Sequence, residues 1–196
     1  MLTIALLGIF FACLALLLTA GLWSNALTLF NVVVAGLLAM NFFEPLADYL
    51  NGELKSYTYL WDFLSLWGVF AVSMIVLRSI TDTLSKVKVR FKGPVNTAGG
   101  IFFACWVGWM LVCFTLTTLH TAPLAKNSFR GSFKPKERMF LGLAPDRVWL
   151  GLTNALSTGA FSHSKSQPFD PGHDFIEKYS NRRAAFEKEP ETRTKG

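Results

Sequence analysis

Between Gly93 and Leu119 the chain carries no Asp, Glu, Lys, Arg or His. At 1.5 Å rise per residue a helix of that length measures about 40 Å, enough to cross the ~30 Å hydrocarbon core of a bilayer with some tilt. A polar fold has no use for such a run, so membrane depth is the first constraint on the whole chain. One face of this helix is small, with Gly100, Ala104 and Gly108 every four residues and Gly99 beside them. Small residues let a second helix approach closely, and close packing is what holds helices together in lipid. The other face is bulky, with Phe102, Phe103, Trp106, Trp109 and Phe114. The small face is read first as internal helix packing. A partner subunit, which would make a homo-oligomer, or a substrate groove is the alternative.

Composition agrees. Of 196 residues 52% are hydrophobic, and the mean hydropathy is +0.37, too apolar for an ordinary soluble domain. The formal charge of +6 falls mainly after Asp82, on the flanks of apolar segments. It is therefore read as orienting the chain in lipid and not as binding nucleic acid. Cys13, Cys105 and Cys113 sit inside apolar runs without CxxC spacing, as small hydrophobes.

Taken in order, residues Met1 to Phe43 hold no charge. Gly21-Leu-Trp-Ser-Asn25 supplies a turn signal, so two spans are expected, Leu2–Gly21 and Ala26–Phe43. A cleaved signal peptide is the weaker reading of the first, which lacks a basic start and an A-x-A site. Asn31 lies in the second span, where its amide needs a partner on a neighbouring helix. Glu44-Pro45 is expected to end that span, because Pro45 lacks an N–H and biases its predecessor away from helix. Residues Glu44 to Tyr59 then form a polar loop. A third span starts near Tyr57, Tyr59 and Trp61, with Asp62 at one surface and Arg78 snorkelling to the other. Asp62 lying inside the bilayer would make it a proton-carrying candidate. Thr81–Lys92 is a basic amphipathic connector.

After Leu119 the chain turns polar. The expected division is a transmembrane domain over 1–122 and a tail over 123–196, partly helical and partly disordered. Lys126 to Arg138 reads as basic loop. Pro145–Ala160 reads as an amphipathic helix with Val148, Trp149, Leu152, Ala155 and Leu156 on one side, lying on the membrane or docking on the bundle. Ser162–Gly172 is linker, and Phe175–Phe186 a further helix. Loop charge places the basic Arg78–Lys92 connector in the cytoplasm and both termini outside. The fold class is thus an all-α polytopic membrane protein, four transmembrane helices followed by a polar tail with short amphipathic helices.

The sequence offers no GxGxxG, P-loop, HExxH or GxSxG motif. His163, His173, Asp170 and Asp174 lack recognised ligand spacing, so no metal and no cofactor are expected. No catalytic residue is assigned. Asn31, Asp62 and Asn96 are the candidate polar groups at membrane depth.

The order of elements carries a resemblance. A close first hairpin ends in Phe43-Glu-Pro-Leu-Ala47, a third helix runs into a short basic stretch, and the fourth opens Val95-Asn96-Thr-Ala-Gly99-Gly100-Ile101. Over about residues 1–125 this resembles the colicin V production (CvpA-type) family of small bacterial inner-membrane proteins with four helices. The resemblance implies a multi-pass accessory role in toxin biosynthesis or export and envelope homeostasis, with no catalytic residues to carry over. Two other functions fit the sequence: an oligomeric channel or transporter lined by Asn31, Asp62 or Asn96, and a membrane anchor whose tail recruits a protein partner. The bilayer is the expected partner in every case.

Overall fold

The computed structural model describes residues 1–53, 59–85, 92–125, 128–158, 169–170 and 172–188. The helices are α1 (Leu2–Leu17), α2 (Leu22–Glu53), α3 (Trp61–Leu84), α4 (Gly93–Thr121), α5 (Pro145–Thr158) and α6 (Phe175–Phe186). No strand occurs among the described residues. Among the described residues three helices, α2, α3 and α4, are long and apolar enough to cross a membrane; α1 is apolar but shorter. At 16 residues it measures about 24 Å. Four full-length spans were expected, and the difference arises at the turn. Gly21 takes a positive φ of 55°, open to glycine at little cost, so α1 stops at Leu17 and α2 starts at once on Leu22.

The second departure is Pro45, which lies inside α2. The helix continues to Glu53, where a loop was expected. Burial accounts for it: Met40, Phe43 and Ala47 are all at most 2% exposed, one inward stripe that runs through the proline. Packing on both sides outweighs the single hydrogen bond that Pro45 cannot donate. The expected loop at 54–58 and the basic connector at 86–91 lie outside the described residues, as do most of the linker and the chain beyond residue 188.

α2 packs most extensively on α3 and then on α4, while α1 packs on α4. The α1–α4 register is antiparallel along the whole of α1. Leu2 and Leu6 cluster with Val112 and Leu116, Phe10 lies against Gly108, and Asn25 Nδ2 donates to both the Leu17 and Gly100 carbonyls at 2.9 Å. The small face of α4 is therefore filled by α1 and the α1–α2 turn of the same chain. A Cβ on Gly100 would stand 3.2 Å from the Gly21 carbonyl carbon.

One end of the bundle thus carries the α1–α2 turn, the end of α3 and the start of α4. The opposite end carries the start of α1, the end of α2, the start of α3 and the end of α4, and here α5 and α6 dock. Both formed close to the expected bounds. The face of α5 is rotated from expectation. Pro145, Asp146, Trp149 and Thr153 point inward, whereas Val148 is 43% exposed. Trp149 is fully buried, its ring 5.4 Å from Phe114, which in turn stacks on Phe70 at 4.4 Å. The indole enters a slot that exists because residue 36 is glycine. A Cβ there would come within 2.4 Å of Trp149 Cζ2.

Candidate functional site

The buried polar groups fall at the two ends of the bundle. At the turn end they tie helix to helix. Asn96 Oδ1 accepts the Leu22 N–H at 3.1 Å, so a side chain of α4 caps the N-terminus of α2. Asn31 Nδ2 donates to Thr81 Oγ1 at 3.0 Å, and Arg78 Nη1 donates to Thr28 Oγ1 at 3.2 Å. Trp23 Nε1 donates to Ser85 Oγ at 2.7 Å. Asn25, read from sequence as a turn residue, is fully buried and holds the hairpin closed.

At the tail end the groups gather where α3, α4, α5 and α6 converge. His120, fully buried on the last turn of α4, places Nε2 3.0 Å from Asp146 Oδ2 in the first turn of α5. The Asp146 carbonyl accepts from Thr117 Oγ1 at 3.3 Å. Arg183 of α6 donates through Nη1 to the His120 carbonyl, where a cation also meets the negative end of the α4 dipole. Its guanidinium lies 5.1 Å over the Phe133 ring. Burial pulls the Arg183 pKa below the ordinary arginine value, with Glu187 partly opposing. Asp62, 4% exposed at the start of α3, pairs with Arg182 at 2.5 Å. Lys178 reaches Glu44 of α2 at 2.6 Å, but both are half-exposed, so that pair contributes little. Tyr179, 1% exposed, has its pKa raised by burial first and by the charges of Asp62 and Glu44 next.

Three consecutive contacts of α6 thus grip three different helices. Cations at 178, 182 and 183 meet α2, α3 and α4 in turn. The cavity beside them, lined in part by Tyr59, His120, Arg182 and Arg183, measures about 10 Å³, room for about one water. The His120–Asp146 pair is closed off by the Thr117 hydroxyl and Arg183, which bond the Asp146 and His120 carbonyls. What this arrangement does is fasten the tail to the bundle. A larger groove of about 540 Å³ opens on the outer side, between α5, α6 and the segment at Lys136.

Asn31, Asp62 and Asn96 are each engaged within the chain, and Asp62 lies at the opposite end from the other two. Gly99, Gly100, Ala104 and Gly108 lie together on α4; a Cβ on Gly99 would meet Leu22 and one on Gly108 would meet Phe10. Among the described residues no three His, Cys, Asp or Glu gather as for a metal. His163 lies outside those residues. Asp170 Oδ1 accepts the Asp174 and Phe175 N–H groups at 2.8 and 3.2 Å, a cap for α6. Sequence reasoning did not find His120, Asp146, Arg182 or Arg183 as a set. The trace legible in the sequence is Asp146, an acidic residue directly after the helix-starting Pro145.

Comparison with curated proteins and with solved structures gave no match. The family model for colicin V production protein matches over residues 2–134. That range contains α1 to α4 and the segment leading to the tail helices, and ends before α5. Covering well over half of the chain, it shows that this protein belongs to the colicin V production protein family.

Proposed function

We propose that the chain is a multi-pass accessory protein of the bacterial inner membrane, acting in toxin production or export and in envelope homeostasis without chemistry of its own. The observation that carries this reading is the family match over α1–α4, in which three helices suit a bilayer by length and composition. α1 is the fourth, shorter crossing. Its antiparallel register with α4 puts its ends at opposite ends of the bundle, and thinning of the bilayer or flanking residues accommodates its shortfall.

The test is fractionation followed by complementation. The protein should stay in the membrane pellet after an alkaline wash, and its removal should lower toxin release or envelope integrity in a producing strain. Recovery in the supernatant refutes the membrane reading, and an unchanged phenotype refutes the role. A second reading, the tail as a platform for a protein partner, is favoured by the groove beside Lys136, Arg147 and Glu177. It predicts a partner whose capture by the full-length protein is lost on Arg147→Glu.

A further inference from the structure

The segment joining α4 to α5 lies in the part expected to be a polar tail, with basic loop over Lys126–Arg138, yet after Arg138 it turns back along the apolar part of the bundle. Met139 and Phe140 are 6% and 9% exposed and cluster with Leu2 and Leu6 of α1 and Val112 and Leu116 of α4. The Phe140 ring lies 6.1 Å from Trp109. At 1.5 Å per residue, Leu116 and Trp109 stand about 8 and 18 Å along α4 from Thr121. The segment therefore lies beside the apolar span, at a depth where water is excluded if that span sits in lipid.

Its tip points away from the protein. Leu141 is 80% and Leu143 56% exposed. The turn that presents them is closed by Leu143 N–H to the Phe140 carbonyl at 3.0 Å and Ala144 N–H to the Met139 carbonyl at 3.1 Å. On either side stand cations. Lys136 and Arg138 precede the turn and Arg147 follows it, and none of the three enters an ion pair among the described residues. Arg147 Nη2 donates to the Lys136 carbonyl at 3.2 Å, which brings the two cationic stretches together at the neck of the turn. Apolar side chains at the tip and cations at the neck match the two layers of a leaflet, acyl chains and anionic phosphates.

We propose that residues 136–147 form a re-entrant wedge in the leaflet on the tail side, Leu141 and Leu143 among acyl chains and Lys136, Arg138 and Arg147 on anionic lipid headgroups. This rests on the membrane reading above, and the test separates the two. Full-length protein with Cys13, Cys105 and Cys113 changed to Ala is placed in nanodiscs of phosphatidylcholine with or without phosphatidylglycerol. A bimane fluorophore is attached at Leu141→Cys, or at Phe102→Cys on the exposed face of α4 as the reference for a spanning helix. The expected result is quenching of both labels by nitroxide-bearing lipid and of neither by aqueous iodide. Adding phosphatidylglycerol should raise the unfolding temperature, and Lys136→Gln with Arg138→Gln should abolish that rise. Iodide quenching at 141 with the reference protected overturns the wedge and leaves the membrane reading standing; iodide quenching at both sites overturns the membrane reading itself. Protection of 141 from both quenchers means a second protein copy covers the tip, and also overturns the wedge. No stabilisation by phosphatidylglycerol overturns the headgroup assignment.

Discussion

A methyl group added at Gly36 should loosen α5 from the bundle. The Cβ would sit 2.4 Å from Trp149 Cζ2 and 2.6 Å from Cη2, about 1 Å inside ordinary carbon–carbon contact. Neither side can yield easily: Gly36 is in mid-helix, and Trp149 is fully buried with Phe114 against its ring. Overpacking of this kind costs about 1–3 kcal/mol. For a chain of this size that is a drop in unfolding temperature of roughly 2–12 °C. Trp149→Phe removes the two atoms that clash, and alone it costs on the order of 1 kcal/mol for the void it leaves. The cycle is the decisive measurement. If the ring occupies the Gly36 slot, Gly36→Ala in the Trp149→Phe background should cost much less than in the wild type, a coupling of about 1–2 kcal/mol. Unfolding temperature and the rate of tryptic cleavage at Lys178, Arg182 and Arg183 read it out in detergent-solubilised protein. Two additive substitutions, or a Gly36→Ala protein as stable and protected as wild type, would refute the slot.

Other perturbations address the remaining contacts. Asp62→Asn leaves Arg182 without its carboxylate, and with the arginine side chain 30% exposed the loss should be about 1–3 kcal/mol, below that of a fully buried pair; faster trypsin cleavage in α6 checks it. Asn96→Ala removes the acceptor for the Leu22 N–H and should cost about 1 kcal/mol, whereas Asn96→Asp keeps an acceptor and should retain most of the stability. Tyr179 has a raised pKa in the folded protein, so its folded-state contribution is complete below the ordinary tyrosine value of 10.0 and is lost as pH climbs above it. Phenolate absorbance should show one tyrosine lagging the others, and Tyr179→Phe should flatten the fall in stability above that pH. Gly100→Leu should disrupt folding of the single chain, because its side chain would meet the Gly21–Leu22 backbone; a monodisperse, correctly folded product would count against the α1–α4 contact.

The sequence made some of this legible and could not make the rest so. Uninterrupted apolar runs gave α2, α3 and α4, and the Pro145 and Phe175 signals gave α5 and α6 nearly to the residue. Turn chemistry located the first hairpin, though it put α2 a turn too late, because Asn25 looks like a loop former until the Leu17 and Gly100 carbonyls are brought to it. Pro45 misled for the opposite reason. Its rule is local, and the burial of Phe43 and Ala47 that overrides it is tertiary. Asn31, Asp62 and Asn96 were visible as polar groups in apolar surroundings, but their partners Thr81, Arg182 and Leu22 were not, since no periodicity links residues on different helices. The same holds for Trp149 with Gly36 and for His120 with Asp146. Each member reads innocently alone.

The pairing of α1 with α4 has a consequence for how the chain is made. α1 finds its main neighbour in the last of the spans, and about 100 residues separate Leu17 from the end of α4. At about 5–20 residues per second that is roughly 5–20 s of synthesis. During that interval α1 is without the helix it will finally lean on. Its sequence, LTIALLGIFFACLALL, is free of charge throughout, so an apolar setting holds it at no cost in buried charge until α4 is made.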